Sequence, residues 1–235
     1  MVRGNARTGS NVRFYSFTVC LRHTHMTSKI ANSIATSASE EAKILIDCFA
    51  GVGGNTIAFA RSDRWSEIHA IERDLPSLEC AKHNAQIYGV RDKVTWHLGD
   101  CFEILRNRMQ YKAGSCIIFA SPPWGGRLSL TLAVFQLISS GPGYRSDNIF
   151  NLFTMQPYGL RDLMQHFQAV SSDIVLYLPR TSDVRQLSEF ADQAGKLPVI
   201  HFCVEGASKV SGTMHFWPLF SSFLGHMRLL RFRFR

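Results

Sequence analysis

A glycine-rich turn between an apolar run and a helical segment most constrains how this chain can fold. The stretch KILIDCFAGVGGNT covers residues 43–56, and its apolar run ends at Asp47. Gly51 and Gly53 follow at once, before a segment of helical character. This order predicts a strand, a tight turn and a helix. Glycine lets a ligand approach the backbone closely, and a helix N-terminus offers free N–H groups, so the turn indicates a nucleotide-like ligand.

Regular alternation of helical and strand patterns follows this turn. Before it, Ile30, Ile34 and Ala38 lie four residues apart and predict a helix within 27–41. After it, the patterns predict helices at 55–62, 76–88 and 101–109 and strands at 67–72, 93–98 and 115–120. Such alternation is typical of βαβ units and a parallel sheet. We therefore predict an α/β, doubly wound, Rossmann-like fold that binds its ligand at the carboxyl ends of the strands.

Composition limits the classes of function. The 235 residues suit one domain with irregular ends, and no apolar run reaches the ~18 residues of a membrane span. The formal charge of +8 favours an anionic partner such as nucleic acid, although a solvated basic surface explains it equally well. The six cysteines form no CxxC pair and no zinc spacing, so we expect reduced thiols and no metal.

Three acidic residues point to a cationic cofactor. Glu72 ends the second predicted strand, where a carboxylate commonly accepts ribose hydroxyls, and Asp100 ends the third, on the expected adenine side. Asp47 precedes the turn, and GVGGN lacks the final glycine of the dinucleotide fingerprint. Three carboxylates suit the sulfonium and ammonium of S-adenosylmethionine and would repel the pyrophosphate of NAD.

The loop SPPWGG, residues 121–126, follows the fourth predicted strand. Its prolines restrict the backbone and lack N–H groups, so nearby carbonyls are available as acceptors for an exocyclic amine. Trp124 offers a flat face on which a base can stack, with a cation–π gain of ~0.5–2 kcal/mol if the base is cationic. Alone, such a loop is as often a stiffened turn with a core tryptophan. Its place at the cofactor edge favours a base-binding function.

Several stretches together resemble one known family, the trimethylguanosine synthases that hypermethylate the caps of small nuclear RNAs. The likeness runs in collinear order over residues 27–209, and SPPWGG beside GVGGNT is specific to this family among methyltransferases. The stretches are DCFAGVGGNTIAFA, AIERDLPSLECAKHNAQIYGV, SPPWGG, FNLFTMQPYG and DIVLYLPRTSD.

The resemblance implies a class I methyltransferase that transfers methyl groups from S-adenosylmethionine to the N2 amine of 7-methylguanosine caps. It places Ser121, Pro122 and Trp124 at the reacting base, and Asn84 and Arg180 at the base and the cap phosphates. The residues that match the family's cofactor positions are Asp47, Gly51, Gly53, Asn55, Thr56, Glu72, Asp100 and Cys101.

Three stretches depart from the family pattern. Residues 1–26 have no family counterpart and are expected to be irregular, while 27–209 are expected to form the methyltransferase domain. An apolar insert at 127–141 follows SPPWGG and could block the base pocket. The basic tail 210–235 stands where the family has its last strand; residues 211–219 could supply some of that strand, but the arginine-rich end has no family counterpart. We therefore expect an imperfect last strand, and loss of the strand would leave the sheet edge bare and the solubility low.

Two other functions stay open on these residues. One is a methyltransferase for a different exocyclic amine, such as a guanine of ribosomal RNA, and the other is an inactive remnant that binds caps or RNA. The resemblance implies capped small RNAs and small ribonucleoprotein proteins as partners, and we expect a monomer without membrane contact. It also implies a nuclear location, in the nucleolus or Cajal bodies; the Arg- and Ser-containing, acid-free residues 1–30 leave a mitochondrial location as the alternative.

Overall fold

The computed structural model describes residues 24–109, 115–123, 149–191, 196–197, 199–203, 210–217 and 232–233. Trp124 and the insert 127–141 lie outside the described residues, so the expectations for them are not addressed by this structure. The same holds for most of the segment 1–26 and for most of the tail beyond 217.

Helices and strands alternate along the described part of the chain as the sequence patterns predict. The helices are α1 (Thr24–Ser37), α2 (Gly54–Arg61), α3 (Leu75–Ile87), α4 (Cys101–Arg108), α5 (Leu160–Gln168) and α6 (Val184–Ser188). The strands are β1 (Ile44–Asp47), β2 (Glu67–Glu72), β3 (Thr95–Leu98), β4 (Cys116–Ala120), β5 (Asp173–Leu178), β6 (Lys196–Leu197), β7 (Val199–Cys203), β8 (Val210–Trp217) and β9 (Phe232–Arg233). The predicted elements up to β4 are all present, with ends that differ by up to four residues.

A seven-stranded sheet carries the fold, in the order β3-β2-β1-β4-β5-β8-β7. Strands β1 to β5 pair in parallel, whereas β8 runs antiparallel to both β5 and β7. The strands β6 and β9 form a separate antiparallel pair. The predicted doubly wound, Rossmann-like architecture is therefore confirmed.

Alternate residues of the central strands face opposite layers of helices. Leu45 of β1 packs in one apolar cluster with α1 and α2, and its neighbour Ile46 packs in the other with α4 and α5. All five residues of β4 are buried, because a parallel strand covered on both faces has no solvent side. The apolar runs read from the sequence are thus the centre of a three-layer domain.

The last strand is regular, although the sequence pattern predicts only some strand within residues 211–219. Val210–Trp217, at the start of the segment assigned to an atypical tail, forms an eight-residue strand that lies between β5 and β7. Met214 of this strand is fully buried against the α1 and α2 side of the sheet. The residues of this stretch differ from the family sequence, but they still form a strand that pairs with its neighbours in the sheet. The low solubility predicted from a bare sheet edge therefore loses its basis.

The strand order reverses between β1 and β4, which are direct neighbours in the sheet. Asp47 at the end of β1 pairs with Phe119, one residue before the end of β4. The glycine turn and Ser121 therefore leave the sheet side by side at its carboxyl edge, where doubly wound sheets bind their ligands. Among the described helices, none has the length and apolar character needed to span a membrane.

Candidate active site

The glycine turn has the backbone geometry that only glycine adopts easily. Gly51 has φ +54°, and a Cβ built there would meet no atom within 4 Å, so open space lies in front of it. Gly53 has φ +88°, and its Cβ would lie 3.1 Å from the Ala81 Cβ. The first glycine thus leaves room for a ligand, whereas the second lets α3 pack closely against the turn.

Glu72 ties the end of β2 to this turn. The Gly51 N–H donates to Glu72 Oε2 at 2.8 Å, and the Asp74 N–H donates to Oε1 at 2.9 Å. Each carboxylate oxygen keeps a free lone pair after these bonds. A half-buried carboxylate fixed in this way can accept the two hydroxyls of a ribose.

Asp47 is fully buried and does not face the open space beside the turn. Thr56 Oγ1 donates to Asp47 Oδ2 at 2.6 Å, and both side chains have no exposed surface. Burial raises the pKa of Asp47 to about 7; the hydrogen bonds from Thr56 and the Phe49 N–H oppose this rise, and the charge of Glu72 adds to it. These two predicted cofactor ligands therefore join β1 to α2 and shape the turn from behind.

Asp100 caps the first turn of α4. Its Oδ1 accepts from the N–H groups of Phe102, at 3.0 Å, and Glu103, at 3.3 Å. Its Oδ2 accepts from the hydroxyl of Tyr158. A capping aspartate presents its carboxylate at the end of β3, on the side where the sequence predicts adenine.

A cavity of about 270 Å³ lies at this edge of the sheet. Five residues predicted from the sequence line it: Gly51, Glu72, Asp100, Cys101 and Ser121. Burial raises the pKa of Cys101 to about 12, with the nearby Asp100 adding to the rise, so this thiol stays neutral and is a poor nucleophile. The cavity thus joins the cofactor-side residues to the beginning of the SPPW loop.

The described part of the SPPW loop turns alternate residues toward the cavity. Ser121 and Pro123 line it, whereas Pro122 is buried. Pro122, predicted from the family resemblance to lie beside the reacting amine, therefore does not line the cavity, whereas Pro123 does. Sequence reasoning could not choose between adjacent prolines, because their directions depend on how the strand end is packed.

Several residues that line the cavity received no site role from the sequence. They are Cys48, Phe49, Arg73, Gly99, Pro123, Pro157 and Tyr158. Tyr158 belongs to the QPYG segment that the family resemblance included, so the sequence held a signal that could have assigned it to the site. Arg73 directly follows Glu72. An exposed charged residue beside a strand end has no distinctive sequence pattern, so no sequence signal could have assigned Arg73 to the site.

Asn84 lies away from the cavity. It is 1% exposed and donates from Nδ2 to the Val52 carbonyl at 3.0 Å. The side chain holds the glycine turn from α3, and contact of Asn84 with a base stays a prediction. Asn55, at the start of α2, has a buried Oδ1 without a hydrogen-bond donor among the described residues, and it does not line the cavity.

Arg180 follows β5 by two residues and is half-buried. Among the described residues it forms no ion pair, unlike the neighbouring Arg185, which lies 2.8 Å from Asp183. Arg180 does not line the cavity beside Asp100. An arginine at the carboxyl edge of the sheet is suited to binding an anionic group.

A model of the RNA cap guanine-N2 methyltransferase family matches residues 42–218. The chain belongs to this family. A trimethylguanosine synthase of Schizosaccharomyces pombe is 30% identical over 184 residues, which cover 77% of this chain and 70% of the relative. One of Saccharomyces cerevisiae is 29% identical over 148 residues, which cover 63% of this chain but only 42% of the relative.

Solved structures agree on the fold. The O-methyltransferase TomG of Streptomyces achromogenes, solved with S-adenosylmethionine, aligns at a TM-score of 0.50 with 12% identity over 89% of this chain and 90% of that one. A structure described as an RNA methyltransferase of Pyrococcus horikoshii aligns at 0.50 with 12% identity over 82% of each chain. At such identities these likenesses establish only the architecture.

The family assignment supports S-adenosylmethionine as the methyl donor, and the cavity is compatible with this cofactor. Gly51 leaves the backbone open, and Glu72 and Asp100 retain acceptor capacity at the ends of neighbouring strands. Those acceptors suit ribose hydroxyls and an adenine amine.

Proposed function

We propose that this chain transfers methyl from S-adenosylmethionine to the exocyclic N2 amine of 7-methylguanosine caps on small RNAs. Family membership supports the guanine-N2 chemistry. The choice of small nuclear or nucleolar RNAs as substrates, and of the nucleus as the location, comes from the resemblance to trimethylguanosine synthases. Small ribonucleoprotein proteins as partners, and a monomeric enzyme, belong to the same proposal.

One observation supports the proposal most strongly: residues proposed for the cofactor and residues proposed for the base line the same cavity. Gly51, Glu72 and Asp100 line it where β1, β2 and β3 end, and Ser121 and Pro123 line it where β4 ends. Donor and acceptor would thus meet across one cleft, since β1 and β4 are adjacent strands. Holding two reactants in line is the main source of rate enhancement available to such a site.

The reaction needs no covalent intermediate. Nitrogen N2 attacks the sulfonium methyl, the carbon–sulfur bond breaks as the carbon–nitrogen bond forms, and the amine then releases a proton to solvent. The products are the methylated guanine and S-adenosylhomocysteine. Because the N2 lone pair is delocalised, acceptors for its N–H groups must orient it. Ser121 would supply one such acceptor through its hydroxyl, and its place in the cavity lining supports this role.

The positive charge of 7-methylguanine explains two further assignments. Stacking on Trp124, which lies beyond the described residues, would be strengthened by a cation–π term. The charge also acidifies the amine, so that a strong general base is dispensable. Arg180 would hold the cap phosphates through a bidentate fork, which its half-buried position without an ion pair among the described residues supports.

Transfer of labelled methyl to 7-methyl-GDP and to GDP tests the proposal directly. We expect product from 7-methyl-GDP alone. Ser121→Ala should lower kcat about tenfold while the affinity for the cofactor stays within about twofold, because one acceptor of the amine is lost. Ser188→Ala is the matched control, since the Ser188 hydroxyl lies on an exposed turn of α6.

Other results would select the alternatives. Equal methylation of GDP and 7-methyl-GDP would contradict cap specificity and favour another exocyclic amine as the acceptor. Cofactor binding without any transfer would favour a cap- or RNA-binding remnant. Repeating the assay after deletion of residues 127–141 measures how much the apolar insert lowers the rate of methyl transfer.

A further inference from the structure

Tyr158 forms a contact with the adenine side of the cavity that the family assignment does not explain. Its hydroxyl donates to Asp100 Oδ2, although the two residues are 58 positions apart. Its ring lies 4.1 Å, centroid to centroid, from the ring of Phe102, which stacks on His166 at 3.9 Å. The half-buried Tyr158 is therefore held by packing as well as by its hydrogen bond.

The bond to Tyr158 completes the restraint of the Asp100 carboxylate. Oδ1 is already engaged by the Phe102 and Glu103 N–H groups of α4. With Oδ2 held by the phenol, rotation about the last side-chain bond would break bonds at both oxygens. Oδ2 keeps one lone pair for a further donor, and both Asp100 and Tyr158 line the cavity.

We propose that Tyr158 is a positioning residue for the cofactor: its hydroxyl aims Asp100 Oδ2 so that the carboxylate accepts from the exocyclic amine of adenine. Tyr158 thereby contributes to selecting an adenosyl cofactor over one whose base carries an oxygen at the same place. The inference rests on the proposed function, because it takes S-adenosylmethionine as the ligand of this cavity.

The chemistry of the pair is suited to this role over the working pH range. Burial raises the pKa of Tyr158, and the hydrogen bond to Asp100 adds to the rise. The phenol thus remains a hydrogen-bond donor. A base with an amine gains a bond to Oδ2, whereas a base with a carbonyl there would place two acceptors against each other.

Tyr158→Phe tests this role, since it keeps the ring on Phe102 and removes only the hydroxyl. Calorimetric titration would measure binding of S-adenosylhomocysteine and of its inosine counterpart, which has oxygen in place of the amine. We expect the variant to bind the adenosine ligand about tenfold more weakly and the inosine ligand within about twofold of the unaltered chain. The ratio of the two affinities, adenosine ligand over inosine ligand, therefore falls by nearly tenfold in the variant.

Tyr88→Phe is the matched control. Tyr88 follows α3 and has Arg61 5.5 Å from its ring centroid, and it does not line the cavity. Both affinities should be unchanged in this variant. Melting curves of all variants establish that they are folded.

A double-mutant cycle with Asp100→Asn provides a second measurement. If Tyr158 acts through Asp100, the double variant should bind S-adenosylhomocysteine no more weakly than Asp100→Asn alone. Additive losses, or equal loss of both ligands in Tyr158→Phe, would show a general structural role and overturn the inference. If the unaltered chain methylates 7-methyl-GDP and Tyr158→Phe binds both ligands as the unaltered chain does, only this inference is refuted. If the unaltered chain does not bind S-adenosylhomocysteine, the proposed function is refuted as well.

Discussion

Thr56 donates from Oγ1 to Asp47 Oδ2 at 2.6 Å between two side chains without exposed surface. The bond joins the last residue of β1 to α2 across the glycine turn. It makes a carboxylate part of the core, and burial raises its pKa to about 7. The turn that opens to the ligand is thus supported from behind by a group whose charge depends on pH.

Asp47→Asn should stabilise the protein at high pH and not at low pH. Folded Asp47 holds its proton up to about pH 7, whereas an unfolded carboxyl releases it near pH ~3.9, so stability falls as pH rises between these values. We expect the variant to gain up to about 4 kcal/mol in unfolding free energy at pH 8 and nothing near pH 4, because the pKa difference of about three units is worth about 1.4 kcal/mol per unit. Urea unfolding across this range measures the difference.

The control for this prediction is Asp63→Asn, which alters an exposed ion pair with Lys93. Such pairs contribute little to stability. A gain at pH 8 that is the same in both variants would contradict the assignment of the pH dependence to Asp47.

Substituting the glycines separates backbone strain from ligand contact. Gly51→Ala and Gly89→Ala each place a side chain at positive φ, +54° and +67°, with no atom within 4 Å of the new Cβ. Both should lose about 1 kcal/mol of stability, but only Gly51→Ala should weaken cofactor binding, because its Cβ points into the space before the turn. Thermal melts and calorimetry distinguish the two effects; equal affinities would refute the open approach at Gly51.

Gly53→Ala should destabilise the protein more than Gly51→Ala or Gly89→Ala. Its Cβ would lie 3.1 Å from the Ala81 Cβ and 3.2 Å from the Ala81 Cα, so α3 would have to move away from the turn. We expect a loss of about 2–3 kcal/mol, from strain at positive φ and overpacking together. Denaturant unfolding of this variant beside Gly89→Ala tests whether the contact adds to the strain.

Glu72→Gln should weaken cofactor binding by about tenfold or more. The neutral amide has one acceptor oxygen, so it cannot accept from the Gly51 and Asp74 N–H groups through separate oxygens and still bind two ribose hydroxyls. Glu79→Gln is the control, since Glu79 is half-exposed and lies 2.9 Å from Lys82 on α3. An unchanged dissociation constant for S-adenosylhomocysteine in Glu72→Gln would exclude the ribose role.

Arg180→Ala should raise the KM for 7-methyl-GDP by about tenfold and leave the KM for the nucleoside 7-methylguanosine unchanged, because only 7-methyl-GDP carries phosphate. Arg185→Ala should change neither, since Arg185 is exposed and already paired with Asp183. Initial rates with both substrates check this prediction. A parallel rise for nucleotide and nucleoside would show that Arg180 supports the structure of the site rather than a phosphate.

Local signals were enough for the elements around the site. The glycine turn, the strand at 67–72 and the place of Asp100 between a strand and a helix were recognisable, because glycine turns and the periodicity of apolar residues are properties of neighbouring residues. Pattern alone indicated only some strand within residues 211–219, not the full strand Val210–Trp217. It pairs with β5, more than thirty residues earlier in the chain, and such pairing depends on distant partners.

The amino-acid sequence by itself determined the doubly wound fold, the family and the edge of the sheet at which the ligand binds. Only the tertiary structure decided which residues reach the cavity. Asp47, Pro122 and Asn84 turn inward, and Tyr158 comes to Asp100 from 58 residues away. The physical reason is that an element forms from local preferences, whereas the direction of a side chain at its end is set by packing against parts of the chain that are remote in sequence.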